Sequence, residues 1–206
     1  MRGLMTYWSC IKKSGGEQTA LDLGCGLGAN SVYSAKKGFQ VTGVDMDDKL
    51  LAEMSRQISQ NGLSKLIEII SINIEDFKPK NKYSIILALS VLNFFKLKKI
   101  ENILATLKKA LNKNGIMFLR VLNNKDESYK KFSKKGMTVG PNEIFSPKLG
   151  NFLHYFDRAE LVKYLSGLEI LDIQEYERTD NHLPEGEHKH YLFDVIVKKP
   201  VLLNKQ

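Results

Sequence analysis

The run TALDLGCGLGAN, residues 19–30, passes from five strand-like residues into three glycines within five positions and then into a helix-forming stretch. Each glycine costs about 0.5 to 1 kcal/mol relative to alanine in a regular element, because it leaves the unfolded chain so much freedom to lose. Three of them at one turn predict a strand–turn–helix unit whose bare backbone receives a ligand, with free amides of the helix start aimed at it. The same alternation continues along the chain. Short, branched apolar runs at 19–23, 40–44, 67–72, 84–89 and 116–121 alternate with helix-period segments at Ala29 to Lys37, Asp48 to Gln60 and Leu97 to Leu111. Each helix stops where glycine or asparagine permits a left-handed turn. Such a pattern predicts an α/β fold, with a mostly parallel sheet covered on both faces.

Beyond the fifth strand the pattern breaks. Residues 123–153 are polar and carry Gly136, Gly140, Pro141, Pro147 and Gly150. That is too long for a simple connection, so 123–156 is expected to be an insertion loop near the functional site. Asp157 and Glu160 then stand three apart, the spacing at which two side chains cap each other's free amides at a helix start. The runs at 169–177 and 190–199, joined by RTDNHLPEGEHK, predict a hairpin that ends the sheet antiparallel. A chain of 206 residues with 43% hydrophobic content suits one domain over 1–206, with 1–16 as a short arm or lid.

Composition narrows the function classes. No apolar run reaches 18 residues, so no membrane span and no secretory leader are expected, and the protein is read as soluble and cytoplasmic. The two cysteines, Cys10 and Cys25, form no CxxC pair, which disfavours a disulfide framework and a structural zinc site. The net charge of +8 raises nucleic acid as a partner. Its lysines, however, fall on helix faces (Lys96, Lys98, Lys99, Lys108, Lys109) and in one polar stretch (Lys130, Lys131, Lys134, Lys135), a distribution that fits solvated surfaces better than a nucleic-acid footprint.

The ligand class turns on spacing. A dinucleotide fingerprint is GxGxxG, whereas Gly24, Gly26 and Gly28 make GxGxG, preceded by Asp22. A carboxylate at that place repels a pyrophosphate and suits an ammonium. Asp45, at the end of the second strand, lies where a carboxylate accepts both hydrogens of a ribose diol. With these features the chain resembles the class I S-adenosylmethionine-dependent methyltransferases. The resemblance implies a doubly wound, Rossmann-like seven-stranded sheet with an antiparallel last strand. It also implies S-adenosylmethionine as cofactor and S-adenosylhomocysteine as product. By the same likeness Asp22, Gly24, Cys25, Gly26, Gly28 and Asn30 surround the cofactor's tail, and Asp45 and Met46 its ribose. Asn73 and Ile74 flank its adenine, with Asp76 nearby, and Leu89 and Ser90 face the methyl-bearing sulfur. Ser84 replaces the family's usual aspartate. Cys25 reads as a small filler and not a nucleophile. Asn93, Phe94 and Phe95 are left open between core and site.

The runs that mark base-amino and cytosine-carbon methylation in this superfamily, NPPY-like and Pro-Cys, do not occur, which makes a small molecule the expected acceptor. Within the superfamily, LDLGCGLGANSVYSAKKGFQVTGVD, SVLNFF and YERTD before a terminal strand ending in Lys-Lys are similar to the tellurite-resistance methyltransferases. That similarity implies an anionic or soft acceptor met by basic residues of the terminal hairpin: Arg178, with His188 and His190, in a segment that also holds His182 and Lys189. Arginine's planar fork suits an oxyanion. Tyr7 and Trp8 are the lid residues, and His154 either reaches the site or packs beside Tyr155 and Phe156. The three hairpin histidines lack convincing ligand spacing, so no metal is expected. Two other readings compete: an RNA-associated or non-catalytic nucleotide-binding protein with the same fold, and a nicotinamide oxidoreductase.

Overall fold

The computed structural model describes residues 18–147, 149–182 and 186–201, and the side chains of 180–182 and 186–188 are not among them. The expected arm at 1–16, with Tyr7, Trp8 and Cys10, lies outside the described residues. Five strands run parallel: β1 (Thr19–Leu23), β2 (Gln40–Asp45), β3 (Ile67–Ser71), β4 (Tyr83–Leu89) and β5 (Leu111–Leu122). The long hairpin β9 (Glu169–His182) and β10 (Gly186–Lys198) completes a seven-stranded sheet in the order β3-β2-β1-β4-β5-β10-β9. Only β10 runs against its neighbours, antiparallel to both β5 and β9. The α/β, doubly wound expectation therefore stands.

Strand β4 is apolar at nearly every position because both its faces are covered. On one side Ile100, Ile103, Leu104 and Leu107 of helix α3 (Leu97–Ala110) join Leu21, Ile86, Leu119 and Val195 in a single core. On the other, α1 (Ala29–Lys36) and α2 (Asp48–Gln60) bury Ala35, Leu51, Met54 and Ile58 over β1, β2 and β4. Each such Leu, Ile or Met contributes about 1.5 to 3 kcal/mol by leaving water. The strand order reverses between β1 and β4, and at such a reversal the carboxyl ends of neighbouring strands diverge into a crevice. No helix among the described residues is long and apolar enough to cross a membrane.

Four local expectations are corrected. Strand β5 begins at Leu111 and not at 116, because α3 ends at Ala110 and the NKNG run is absorbed into the strand, with Asn114 in the left-handed region at φ 61°. The hairpin connection is short, since Arg178 pairs with His190 and Asp180 with His188 before the chain turns. The segment 123–156 is folded. It holds α4 (Glu127–Lys134) and an antiparallel sheet of β6 (Thr138–Gly140), β7 (Glu143–Ser146) and β8 (Asn151–His154) around buried Ile144, Leu153 and Tyr155. A short helix, α5 (Arg158–Tyr164), follows. Asp157 caps it through the Glu160 amide at 2.8 Å, but the Glu160 carboxylate turns to His154 Nε2 at 3.0 Å, so the reciprocal half of the expected capping box is missing.

Candidate active site

The glycine turn between β1 and α1 is left-handed at Gly24 (φ 72°) and Gly28 (φ 80°). A Cβ on Gly24 would stand 2.5 Å from Val91 Cγ2, just past β4, and one on Gly28 would stand 2.5 Å from Met54 Cγ on α2. These contacts lock the turn against both neighbouring elements.

Four of the turn's five amides are bonded within the protein and are not offered to a ligand, where the sequence predicted free ones. Gly24 and Cys25 donate to the Val44 carbonyl at 2.8 and 3.0 Å, Gly26 donates to Asp45 Oδ2 at 2.9 Å, and Gly28 donates to the Cys25 carbonyl at 2.8 Å. At the start of α1, Ser31 donates its hydroxyl to Asp22 Oδ2 at 2.6 Å. Around the turn stand acceptors: two carboxylates, and the carbonyl oxygens of Gly24 and Gly26, which take no backbone donor among the described residues. An oxygen-rich turn with its glycine donors in use is suited to a cation, not to a pyrophosphate.

Asp22 sits beneath the turn, 2% exposed. Burial pushes its carboxyl up to about 6, against the lowering effect of the Ser31 hydrogen bonds. Asp45 stands on the surface of the crevice, fixed by the amides of Gly26, Met46 (2.7 Å) and Asp47 (3.1 Å). Cys25 is 6% exposed, and burial pushes its thiol up to about 12, so it carries no thiolate near neutral pH and fills space, as expected.

A cleft of about 660 Å³ opens at the strand reversal. Of the residues expected to hold a cofactor, Gly24, Asp45, Met46, Asn73, Ile74 and Ser90 line it. Asp22, Cys25 and Gly28 are buried behind its wall, Leu89 packs toward the α1–α2 core, and Asn30 lies half-buried in the first turn of α1. Asn73 Oδ1 already accepts the Glu75 amide at 3.0 Å. Ser90 is left-handed at φ 61°, a conformation costing a non-glycine residue about 1 to 3 kcal/mol, and it follows the end of β4 on the cleft wall.

Sequence reasoning left several lining residues unassigned. Val91, Phe94 and Phe95 follow β4, Lys96 directly precedes α3 and Lys99 lies in its first turn; both had been read as solvated lysines. Glu75 pairs with Lys99 at 2.7 Å, and Asn151 and Phe152 arrive from β8. The helix start after β4 at a strand reversal was the signal that could have marked the lysines. Asn93 resolves to the core: it is 2% exposed and donates to the His154 carbonyl at 2.8 Å. His154 is fully buried, edge-on to Phe156, with Glu160 on Nε2.

Arg178 and His190 stand opposite each other on the β9–β10 hairpin and are not among the cleft's described lining. His190 Nδ1 lies 3.1 Å from Asp126 Oδ2. Asp126 is buried; although burial opposes it, hydrogen bonds from His190 and Ser128 hold its carboxyl below the usual range. His188 pairs through its backbone with Asp180, and its side chain lies outside the described residues.

Known proteins share this architecture. The crystal structure of TehB from Haemophilus influenzae superposes with a TM-score of 0.71 at 20% identity, covering 94% of this chain and 62% of that one. A protein from Methanosarcina mazei described as a SAM-dependent methyltransferase gives 0.75 at 21% identity, covering 90% and 93%. In sequence, a ubiquinone biosynthesis O-methyltransferase of Pelagibacter ubique is 31% identical over 109 residues, 53% of this chain and 44% of that one. A probable S-adenosyl-L-methionine-dependent methyltransferase TehB of Haemophilus influenzae is 27% identical over 95 residues, 46% and 32%. The chain thus spans about half or less of the length of these two curated relatives. The family model described as tellurite resistance protein TehB matches residues 12–183, most of the chain, and the protein belongs to that family.

Proposed function

We propose that the protein transfers a methyl group from S-adenosylmethionine to a small-molecule acceptor. The observation that carries this reading is the turn whose three glycine amides are bonded internally while carboxylates and carbonyls stand around it. Such a turn holds the ammonium of an amino-acid tail. Asp45 bonds the ribose, and Asn73 and Ile74 flank the adenine. Asp22, buried behind the turn, acts by capping the start of α1 and by its charge. When bound, the cofactor supplies an electrophilic methyl carbon on a sulfonium. The chain contributes alignment and exclusion of water, the principal sources of rate for such a displacement. The end of β4 at Ser90 is the natural place for the sulfur. The cations on the cleft wall are Lys96 and Lys99, and they take the acceptor-orienting role assigned on sequence to Arg178, His188 and His190. The acceptor is accordingly a small, anionic or soft nucleophile.

Calorimetric titration with S-adenosylhomocysteine tests the cofactor half. Saturable binding in wild type is expected to weaken by about tenfold or more in Asp45→Ala, the loss of one or two hydrogen bonds to a charged group. Unchanged affinity removes Asp45 from the ribose.

A further inference from the structure

Resting on the methyltransferase reading, we propose that the acceptor is a flat, aromatic monoanion whose acidic group is held by Lys96 while its ring lies against Phe94. Three observations lead there. First, the far wall of the cleft is aromatic: Phe94 is 43% exposed, with Phe95 beside it and Phe152 opposite on β8. A small hydrated oxyanion gains nothing from phenyl rings, whereas a planar apolar body gains by displacing water from them. Second, among the described residues only one wall cation is uncommitted. Lys99 is paired with Glu75 at 2.7 Å, and Lys96 has no carboxylate partner among the described residues. Third, Lys96 is positioned. Its ammonium lies 4.1 Å from the Phe152 ring centroid, and Phe145 braces that ring edge-on at 5.3 Å. A cation over a ring face keeps its N–H donors for an anion. A single placed ammonium fits a single acidic group.

In the reaction, the lone pair of a nucleophilic ring substituent forms the bond to the methyl carbon as the carbon–sulfur bond breaks. The electron pair stays on sulfur, which becomes the thioether of S-adenosylhomocysteine, and the substituent's proton goes to solvent.

The test is methyl-label transfer to 3,4-dihydroxybenzoate and to its carboxamide, with tellurite alongside. Wild type is expected to favour the acid over the amide by about tenfold or more in kcat/KM, the worth of a charge-assisted hydrogen bond. Lys96→Met should collapse that ratio to about one, Lys96→Arg should keep most of it, and Phe94→Ala should raise KM for both compounds. Because the ratio compares two acceptors on one enzyme, a variant of lower overall activity still reports. An acid preference that survives in Lys96→Met overturns the inference. So does label reaching tellurite but not the benzoate, or S-adenosylhomocysteine binding with no labelled benzoate; in both cases the methyltransferase reading stands. Failure to bind S-adenosylhomocysteine overturns both.

Discussion

Along the β1–β2 side of the cleft the working atoms belong to the backbone or to carboxylates that the backbone holds, as in the three amides on Asp45. Along the opposite side they belong to long side chains brought together from distant segments, as when Lys96 of the β4–α3 connection meets Phe152 of β8. The first side is a local device, built within about thirty residues of one strand–turn–helix–strand unit. The second exists only because the small sheet of β6, β7 and β8 docks on the turn after β4. Under the proposed function, the difference assigns cofactor holding to the first side and acceptor choice to the second.

Breaking the local side should have the largest effect. Gly24→Ala combines a left-handed φ with a 2.5 Å approach to Val91, so a loss of about 2 to 5 kcal/mol in urea unfolding is expected, together with loss of cofactor binding. Gly26→Ala, with nothing within 4 Å of the new Cβ, should cost only the conformational part, about 1 to 2 kcal/mol.

Asp22 sharpens the same side through pH. Its carboxyl is raised by burial to about 6 in the folded state, from an ordinary 3.8, so the folded protein binds that proton more tightly. The contribution to stability is fully present below about pH 4 and is lost as pH rises through about 6, by at most about 3 kcal/mol. Asp22→Asn should flatten this part of the stability profile. Docking of the distant side is tested by Asn93→Ala, which removes the bond to the His154 carbonyl; it should cost about 1 to 3 kcal/mol and raise the acceptor KM, leaving cofactor affinity nearly unchanged. Smallest of all, Lys98→Ala breaks an exposed pair with Glu101 one residue from Lys99 and should stay within about 0.5 kcal/mol of wild type, with activity unaltered.

What was legible in the sequence follows the same division. The order of strands along the chain and the glycine turn could be read because period, glycine spacing and strand ends are local signals. The insertion was misread as a loop because its strands are three or four residues long and its core residues, Ile144, Leu153 and Tyr155, pair across turns rich in Gly and Pro. Lys96 and Lys99 were read as solvated because nothing near them in sequence announces Phe152 or Glu75. Free amides were expected at the turn because spacing does not reveal that the Val44 carbonyl and Asp45 already take those of Gly24, Cys25 and Gly26.

The central claim is that this turn, its glycine amides internally bonded, receives a cationic nucleoside amino acid. A titration followed by backbone amide NMR tests it most directly. S-adenosylhomocysteine should shift the Gly24, Gly26 and Asp45 resonances saturably, and NAD should leave them in place. Saturable shifts at Gly26 and Gly28 with NAD, and none with S-adenosylhomocysteine, would contradict the account.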